Sequence, residues 1–69
     1  MELNTYEAAA VIGIGQVSII RHVKEGRLEA RRIGYRGVIR VSVDALRAFA
    51  AKYNYDVNEE LLRQLAARE

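Results

Sequence analysis

Two closely spaced glycines, Gly13 and Gly15, interrupt a helical pattern and constrain the fold of this chain more than any other feature. Apolar residues are spaced as in a helix from Tyr6 to Ile12, and the helical pattern resumes from about Gln16 to Glu25. A three-residue turn between two such segments allows the chain to change direction but is too short to act as a flexible linker. We therefore expect two short helices packed closely against each other, within one small domain, because 69 residues provide a single modest core.

The ends of these two helices carry recognisable capping signals. Thr5 is a suitable N-cap for the first helix, and Glu7 in the first turn favours the helix dipole. Gly26 is a suitable left-handed residue after the second helix. A helix that is broken by a short glycine-containing turn and resumes at once is typical of a helix-turn-helix motif.

The next segment, from Arg27 to Val41, alternates with the period of a β-strand. Gly34 and Gly37 enclose Tyr35 and Arg36, which predicts a tight hairpin turn with positive φ at the glycines. A loop tipped by one aromatic residue and one Arg suits contact with a phosphate backbone or insertion into a minor groove. The alternative is an ordinary solvated hairpin tip.

Two further helices are predicted after the hairpin. Ser42 is an N-cap with Asp44 in the first turn, and this helix runs to about Tyr53. Its inward positions, which close the core, are Val43, Leu46, Phe49 and Ala50. A last helix begins near Asn58.

The last helix carries an apolar stripe at Leu61, Leu62 and Leu65. This stripe either folds back onto its own domain or offers its leucines to a neighbouring copy or a partner protein. We favour the second alternative, because the preceding helices and hairpin already cover the core.

The charge of the chain is concentrated in its middle third. Seven of the eleven Lys and Arg residues lie between Gln16 and Arg40, where only Glu25 and Glu29 oppose them. This segment therefore carries +5, whereas the remainder of the chain carries −3, for a net charge of +2. A concentrated basic patch of this kind indicates a nucleic-acid-binding protein.

The second helix has two chemically different faces. Ile19 and Val23 share the face that we expect to lie in the core. The opposite face combines apolar and basic side chains, namely Val17, Ser18, Ile20, Arg21 and Lys24. Contact between the apolar residues and thymine methyl groups in a DNA groove would explain this combination. Alternatively, Ile20 packs on the hairpin and Val17 is an ordinary exposed residue.

Composition excludes several other classes of protein. The chain has no cysteine, which excludes a disulfide framework and is compatible with a reducing compartment. No apolar run approaches the ~20 residues of a membrane span. Ser18, His22 and Asp44 could suggest a hydrolase, but nothing orients a catalytic base and the chain has little volume for a substrate pocket. We expect a non-enzymatic protein with no metal and no cofactor.

Several motifs resemble one known domain. The EAA segment, the Gly13–Gly15 turn, EGRL at 25–28, RIG at 32–34 and VDAL at 43–46 are similar to the winged-helix domain of phage excisionases, or recombination directionality factors. This domain belongs to a wider MerR-like DNA-binding group, and the resemblance extends from about Leu3 to Lys52. The sequence departs from the usual pattern in three ways: Gly15 replaces a Ser N-cap, His22 replaces an apolar residue, and Gly37-Val38 replaces two basic residues.

The resemblance implies an α+β fold. Residues 1–53 would form a winged helix-turn-helix domain, with helix-turn-helix, β-hairpin wing and third helix, and residues 54–69 a C-terminal helix for self-association or partner contact. Helix 16–25 would enter a major groove and wing 33–38 the adjacent minor groove. The expected DNA-contacting residues are Gln16, Val17, Ser18, Ile20, Arg21, Lys24, Arg31, Arg32, Tyr35 and Arg36.

The resemblance also implies a function. An excisionase is a sequence-specific architectural protein that binds attachment-site DNA cooperatively, bends it and directs an integrase toward prophage excision. Its partners would be double-stranded DNA, neighbouring copies of itself and a phage integrase. The setting would be the cytoplasm of a host bacterium, with an actinobacterial phage as the source. The alternatives are a small transcriptional regulator with the same domain and a protein-interaction module that binds no DNA.

Overall fold

The structure is a computed structural model that describes residues 1–68. Its elements, in chain order, are β1 (Glu2–Leu3), α1 (Thr5–Ile12), α2 (Gln16–Lys24), β2 (Arg31–Ile33), β3 (Val38–Ser42), α3 (Val43–Tyr53) and α4 (Glu59–Ala67). The predicted α+β architecture is confirmed: a helix-turn-helix is followed by a hairpin wing, a third helix and a C-terminal helix. Glu69, the last residue of the predicted segment 54–69, lies outside the described residues.

The first helix begins one residue earlier than predicted, because Asn4 and not Thr5 is its N-cap. The Asn4 side chain accepts a hydrogen bond from the Glu7 amide at 2.7 Å, and the Glu7 carboxylate accepts one from the Asn4 amide at 3.0 Å. This reciprocal pair is a capping box, which satisfies two otherwise unpaired backbone donors. The Thr5 hydroxyl is then free to accept a hydrogen bond from Gln16 Nε2 at 2.8 Å, which ties the start of α1 to the start of α2.

The sheet contains one strand that was not predicted. β1 pairs antiparallel with β3, with Leu3 opposite Val41, and the strand order is β1-β3-β2. β3 is therefore the central strand, and the side chains of Leu3 and Val41 are both fully buried. A two-residue strand has no detectable periodicity of its own, so only its pairing with β3 defines it.

The second strand begins at Arg31, four residues later than the predicted Arg27. The amides of Arg27 and Leu28 both donate to the carbonyl of His22, at 2.9 and 3.2 Å, so this segment still completes the end of α2. Leu28 turns into the core, where only 2% of its surface is exposed. The apparent strand periodicity before Arg31 thus arises from a buried loop residue.

The core is assembled from the sheet and all four helices. Its largest fully buried side chains are Leu3, Val11, Ile19, Leu28, Val41 and Leu46. α1 packs against α2, β3 and α4, so it lies at the centre of the arrangement. Of the predicted core positions in α3, Leu46, Phe49 and Ala50 are buried and Val43 is partly buried.

The C-terminal helix folds back onto the domain, which corrects the prediction of a free leucine stripe. Leu62 and Leu65 are only 5% and 6% exposed, and Leu61 is partly buried against the same core. The Asn58 amide donates to the carbonyl of Val11 in α1 at 2.8 Å, and this bond directs the start of α4 back over α1. The leucines therefore complete the core of their own chain.

Candidate nucleic-acid interface

The outward face of α2 carries most of the side chains predicted to contact DNA. Gln16, Val17, Arg21 and Lys24 are exposed, and Val17 keeps 70% of its surface in solvent. Ser18 and Ile20 are half-buried, so they lie at the border between the open face and the core. Ile19 is fully buried, as the predicted division of the helix into two faces requires.

The start of α2 has no side-chain cap. Gly15 occupies the N-cap position, and no side chain accepts a hydrogen bond from the first turn. The hydrogen bond from Gln16 to Thr5 holds this end of the helix against α1 instead. This bond uses one of the two N–H donors of the Gln16 amide, so the second N–H and the side-chain carbonyl oxygen are available to a ligand.

His22, which stands where the resemblance has an apolar residue, packs among aromatic side chains at the end of α2. Its ring centroid lies 4.8 Å from that of Phe49 and 6.4 Å and 6.5 Å from those of Tyr53 and Tyr55. Its Nδ1 accepts a hydrogen bond from Arg27 Nε at 2.9 Å. His22 therefore anchors the end of α2 to α3 and to the segment after it.

Two of the predicted basic residues are engaged with carboxylates. Arg27 forms a two-bond fork with Glu25, and this hydrogen bonding lowers the pKa of Glu25. Arg31 forms a similar fork with Glu2, with Nε 3.0 Å from the carboxylate, and lowers the pKa of Glu2 in the same way. Because β3 lies between their strands, the pair formed by Glu2 and Arg31 crosses the sheet. Arg31 was predicted to contact DNA, but its charge is matched inside the protein.

The remaining cations of the basic segment have no such partner. Within residues 1–68, no carboxylate lies within 4.0 Å of the side-chain nitrogens of Arg21, Lys24, Arg32, Arg36 or Arg40. Arg21 and Lys24 are exposed on α2, and Arg32 and Arg36 are exposed on the hairpin. These unpaired cations are therefore concentrated on α2 and on the hairpin of β2 and β3, whose end, residues 33–38, we define as the wing.

The tip of the wing is a closed turn, as predicted. Gly34 and Gly37 have φ of 74° and 68°, which glycine adopts without strain, and the Gly37 amide donates to the Gly34 carbonyl at 3.1 Å. Tyr35 is 95% exposed, and the guanidinium carbon of Arg36 lies 5.9 Å from the centre of its ring. The two tip side chains thus form a cation–π pair that projects into solvent.

The wing also exposes an apolar pair that the sequence did not identify as part of the site. Ile33 lies opposite Val38 in the register of β2 and β3, and the two are 41% and 46% exposed. Arg32 and Ile39 form the next pair and lie on the other face. The strand periodicity predicted the hairpin correctly but did not distinguish its solvent-exposed end from its buried end.

The described part of the chain contains neither a metal-binding cluster nor a membrane-spanning helix. No group of three or more His, Asp or Glu side chains in residues 1–68 is placed to hold a metal ion. None of the helices formed by these residues has the length and hydrophobicity needed to cross a membrane.

Comparison with known proteins identifies the domain. A family model described as a helix-turn-helix domain matches residues 2–54, which is most of the chain. The chain belongs to this family. No curated protein and no solved structure matches the chain.

Membership of the helix-turn-helix family indicates DNA binding and supports DNA as a partner of the protein. In such domains the second helix enters the major groove while the first crosses the backbone, and here the second helix is α2. The matched region ends at Asn54, before α4, yet the core of this member of the family includes Leu62 and Leu65.

Proposed function

We propose that this helix-turn-helix protein binds double-stranded DNA sequence-specifically, with α2 in a major groove and the wing in the adjacent minor groove. The observation that carries the proposal is the set of unpartnered cations on these two elements. Val17, Ser18 and Arg21 would face the bases, because they occupy the first turns of the helix. Lys24, Arg32 and Arg36 would bind phosphates or the groove beside them, supported by Gln16, Ile20 and Tyr35.

We further propose an architectural role in prophage excision, which rests on the excisionase-like motifs at 25–28, 32–34 and 43–46. Copies of the protein would bind neighbouring attachment sites cooperatively in the bacterial cytoplasm, bend the DNA and direct an integrase toward excision. Bending a site by tens of degrees costs on the order of 1–6 kcal/mol. Cooperativity can arise through the bent DNA itself, so it does not require the buried leucines of α4.

A recombination assay tests this role directly. Integrase and attachment-site DNA would be incubated with and without the protein, and excision should depend on its presence. Gel shifts on DNA with several sites should give a cooperative ladder, and circular-permutation mobility should report a bend. Independent binding to each site with no effect on recombination would contradict the architectural role while leaving DNA binding intact.

A small transcriptional regulator is the second candidate, and the burial of Leu62 and Leu65 favours it. These leucines were expected to join copies or to contact an integrase, and that surface is now occupied by the protein's own core. Footprints at promoters with a change in transcription, together with no change in recombination, would support this candidate. A module that contacts only proteins would instead bind no DNA at moderate salt.

A further inference from the structure

The wing has an apolar shoulder, formed by Ile33 and Val38, that the proposed contacts do not use. The two residues are directly opposite each other across the hairpin, so their side chains share one face. About half of the surface of each remains exposed, at 41% and 46%. This area contributes little to folding and remains available to a ligand, because the hydrophobic gain follows the area removed from water.

Cations surround this shoulder. Arg36 lies at the tip just beyond it, and Arg40 lies two residues after Val38, which places it on the same face of β3. Arg32 lies on the opposite face of the hairpin. Within residues 1–68 none of the three has a carboxylate partner within 4.0 Å. An apolar surface with unpaired cations nearby is suited to bind a polyanion that has apolar surface between its phosphates. The minor groove of DNA is such a surface, because deoxyribose rings form its walls between the phosphates.

The tip is already arranged for entry into a groove. Its turn is closed by the hydrogen bond between Gly37 and Gly34, and the Arg36 guanidinium lies over the Tyr35 ring. A tip that is fixed before binding loses less conformational entropy when it is bound. Arg36 also has only hydrogen-bond donors to offer, and Ile33 and Val38 have no polar side-chain atoms.

We propose that the wing selects A·T base pairs through the minor groove, an inference that rests on the DNA binding proposed above. The floor of an A·T minor groove presents only acceptors, whereas a G·C pair adds the guanine 2-amino donor. Arg36 matches the acceptors, but neither Arg36 nor the apolar shoulder can accept the hydrogen bond of the guanine amino group. A·T-rich DNA also has a narrow minor groove whose negative potential attracts arginine. Ile33 and Val38 then pack against the sugars that form its walls.

Base analogues separate minor-groove from major-groove selection. Inosine removes the 2-amino group of guanine, and 2,6-diaminopurine adds one to adenine, without changing the major-groove pattern of either pair. Hydroxyl-radical footprints of the unsubstituted protein and of Arg36→Ala would first be compared. The minor-groove segment that loses protection in Arg36→Ala identifies the base pairs under the wing. At these positions we expect A·T and inosine·C duplexes to bind equally well. We expect G·C and diaminopurine·T duplexes to bind roughly fivefold or more weakly per pair.

Variants of the shoulder complete the test. Ile33→Thr/Val38→Thr keeps β-branched residues in the strands and should reduce the ratio of A·T to G·C affinity. The matched control Val17→Thr, on α2, should weaken binding without altering that ratio.

Two results would overturn the inference. One is that diaminopurine·T duplexes bind as tightly as A·T duplexes. The other is that the hydroxyl-radical protection pattern is unchanged in Arg36→Ala. The inference is also overturned if the shoulder variant keeps the ratio of A·T to G·C affinity but loses cooperativity on tandem sites. In that case the shoulder contacts a second copy of the protein. Failure of every duplex to bind contradicts the proposed function itself.

Discussion

The C-terminal helix and the wing both carry apolar side chains with charged residues nearby. In α4 the apolar residues Leu62 and Leu65 are buried. The charges around them are paired, because Arg47 binds Glu59 and Arg68 binds Glu7 at 3.2 Å. In the wing, Ile33 and Val38 remain exposed, and Arg36 has no carboxylate partner in residues 1–68.

This difference separates residues that stabilise the fold from residues that are available for binding. At α4 the apolar side chains pack in the core and the charged side chains form ion pairs within the chain. Both kinds of contact therefore contribute to the free energy of unfolding. At the wing the same types of side chain lack partners within the protein, and a polyanionic ligand can supply them. Composition alone does not distinguish the two regions, whereas burial and pairing do.

The largest expected contrast is in stability. Leu65→Ala in α4 should lower the free energy of unfolding by roughly 2–5 kcal/mol, because it removes buried methyl groups and leaves a cavity. Val38→Thr in the wing should change it by no more than about 0.5 kcal/mol, as at other exposed positions. Urea denaturation followed by circular dichroism measures both. Deletion of residues 58–69 should unfold the domain, and a truncated chain that remains folded would show that α4 is dispensable to the core.

The next contrast is in DNA affinity. Arg21→Ala on α2 should cost roughly 1–3 kcal/mol of binding free energy and relax specificity, if this side chain binds a base. Arg63→Ala on α4 is the matched control, since Arg63 is equally an exposed helical arginine but is paired with Glu60. Fluorescence anisotropy on a selected site and on shuffled DNA distinguishes the roles. An equal loss on both DNAs would assign Arg21 to a phosphate instead.

A smaller effect is expected when Arg31 is released. Glu2→Gln removes the carboxylate that binds Arg31, so the freed cation can join the unpaired arginines of the hairpin. One additional phosphate contact should steepen the slope of log affinity against log salt by about 0.9. Glu59→Gln, which frees Arg47 beside α4, should leave the slope unchanged. A slope that does not respond to Glu2→Gln would place Arg31 outside the DNA-binding surface.

The smallest expected effect is in acid stability. Hydrogen bonding from Arg47 lowers the pKa of Glu59 below its ordinary value of 4.5. The stabilisation from this pair is therefore fully present above pH 4.5 and is lost as the pH falls through the lowered pKa. Glu59→Gln should reduce stability slightly at pH 7 and make the loss below pH 4.5 shallower. Glu29 is the matched control, because no cation in residues 1–68 lies within 4.0 Å of its carboxylate. Glu29→Gln should alter neither the stability at pH 7 nor its loss in acid.

Features governed by neighbouring residues were predictable from the sequence. Ser42 caps α3 through the Ala45 amide at 3.0 Å, and Gly34 and Gly37 adopt the positive φ that their turn requires. The buried face of α2 at Ile19 also follows from helical spacing. These signals lie within a few residues of the structure they determine, so a single sequence reveals them.

Features governed by distant residues were not predictable in this way. Arg31 looks like the neighbouring Arg32, yet its partner Glu2 lies 29 positions away and is brought to it by β1. An amphipathic stripe such as that of α4 has the same periodicity whether it covers its own core or a partner. The hydrogen bond from Asn58 to Val11 decides between these outcomes, and it depends on the packing of α1.

The strand order β1-β3-β2 leaves β2 at one edge of the sheet, next to the wing. An open edge can pair with another chain and start aggregation, and short strands with charged residues prevent this. β2 has only three residues, and two of them are Arg31 and Arg32. Arg31 and Arg32 are therefore expected to protect this edge from pairing with another chain. Substitutions that remove these charges to reduce DNA affinity are expected to lower solubility as well.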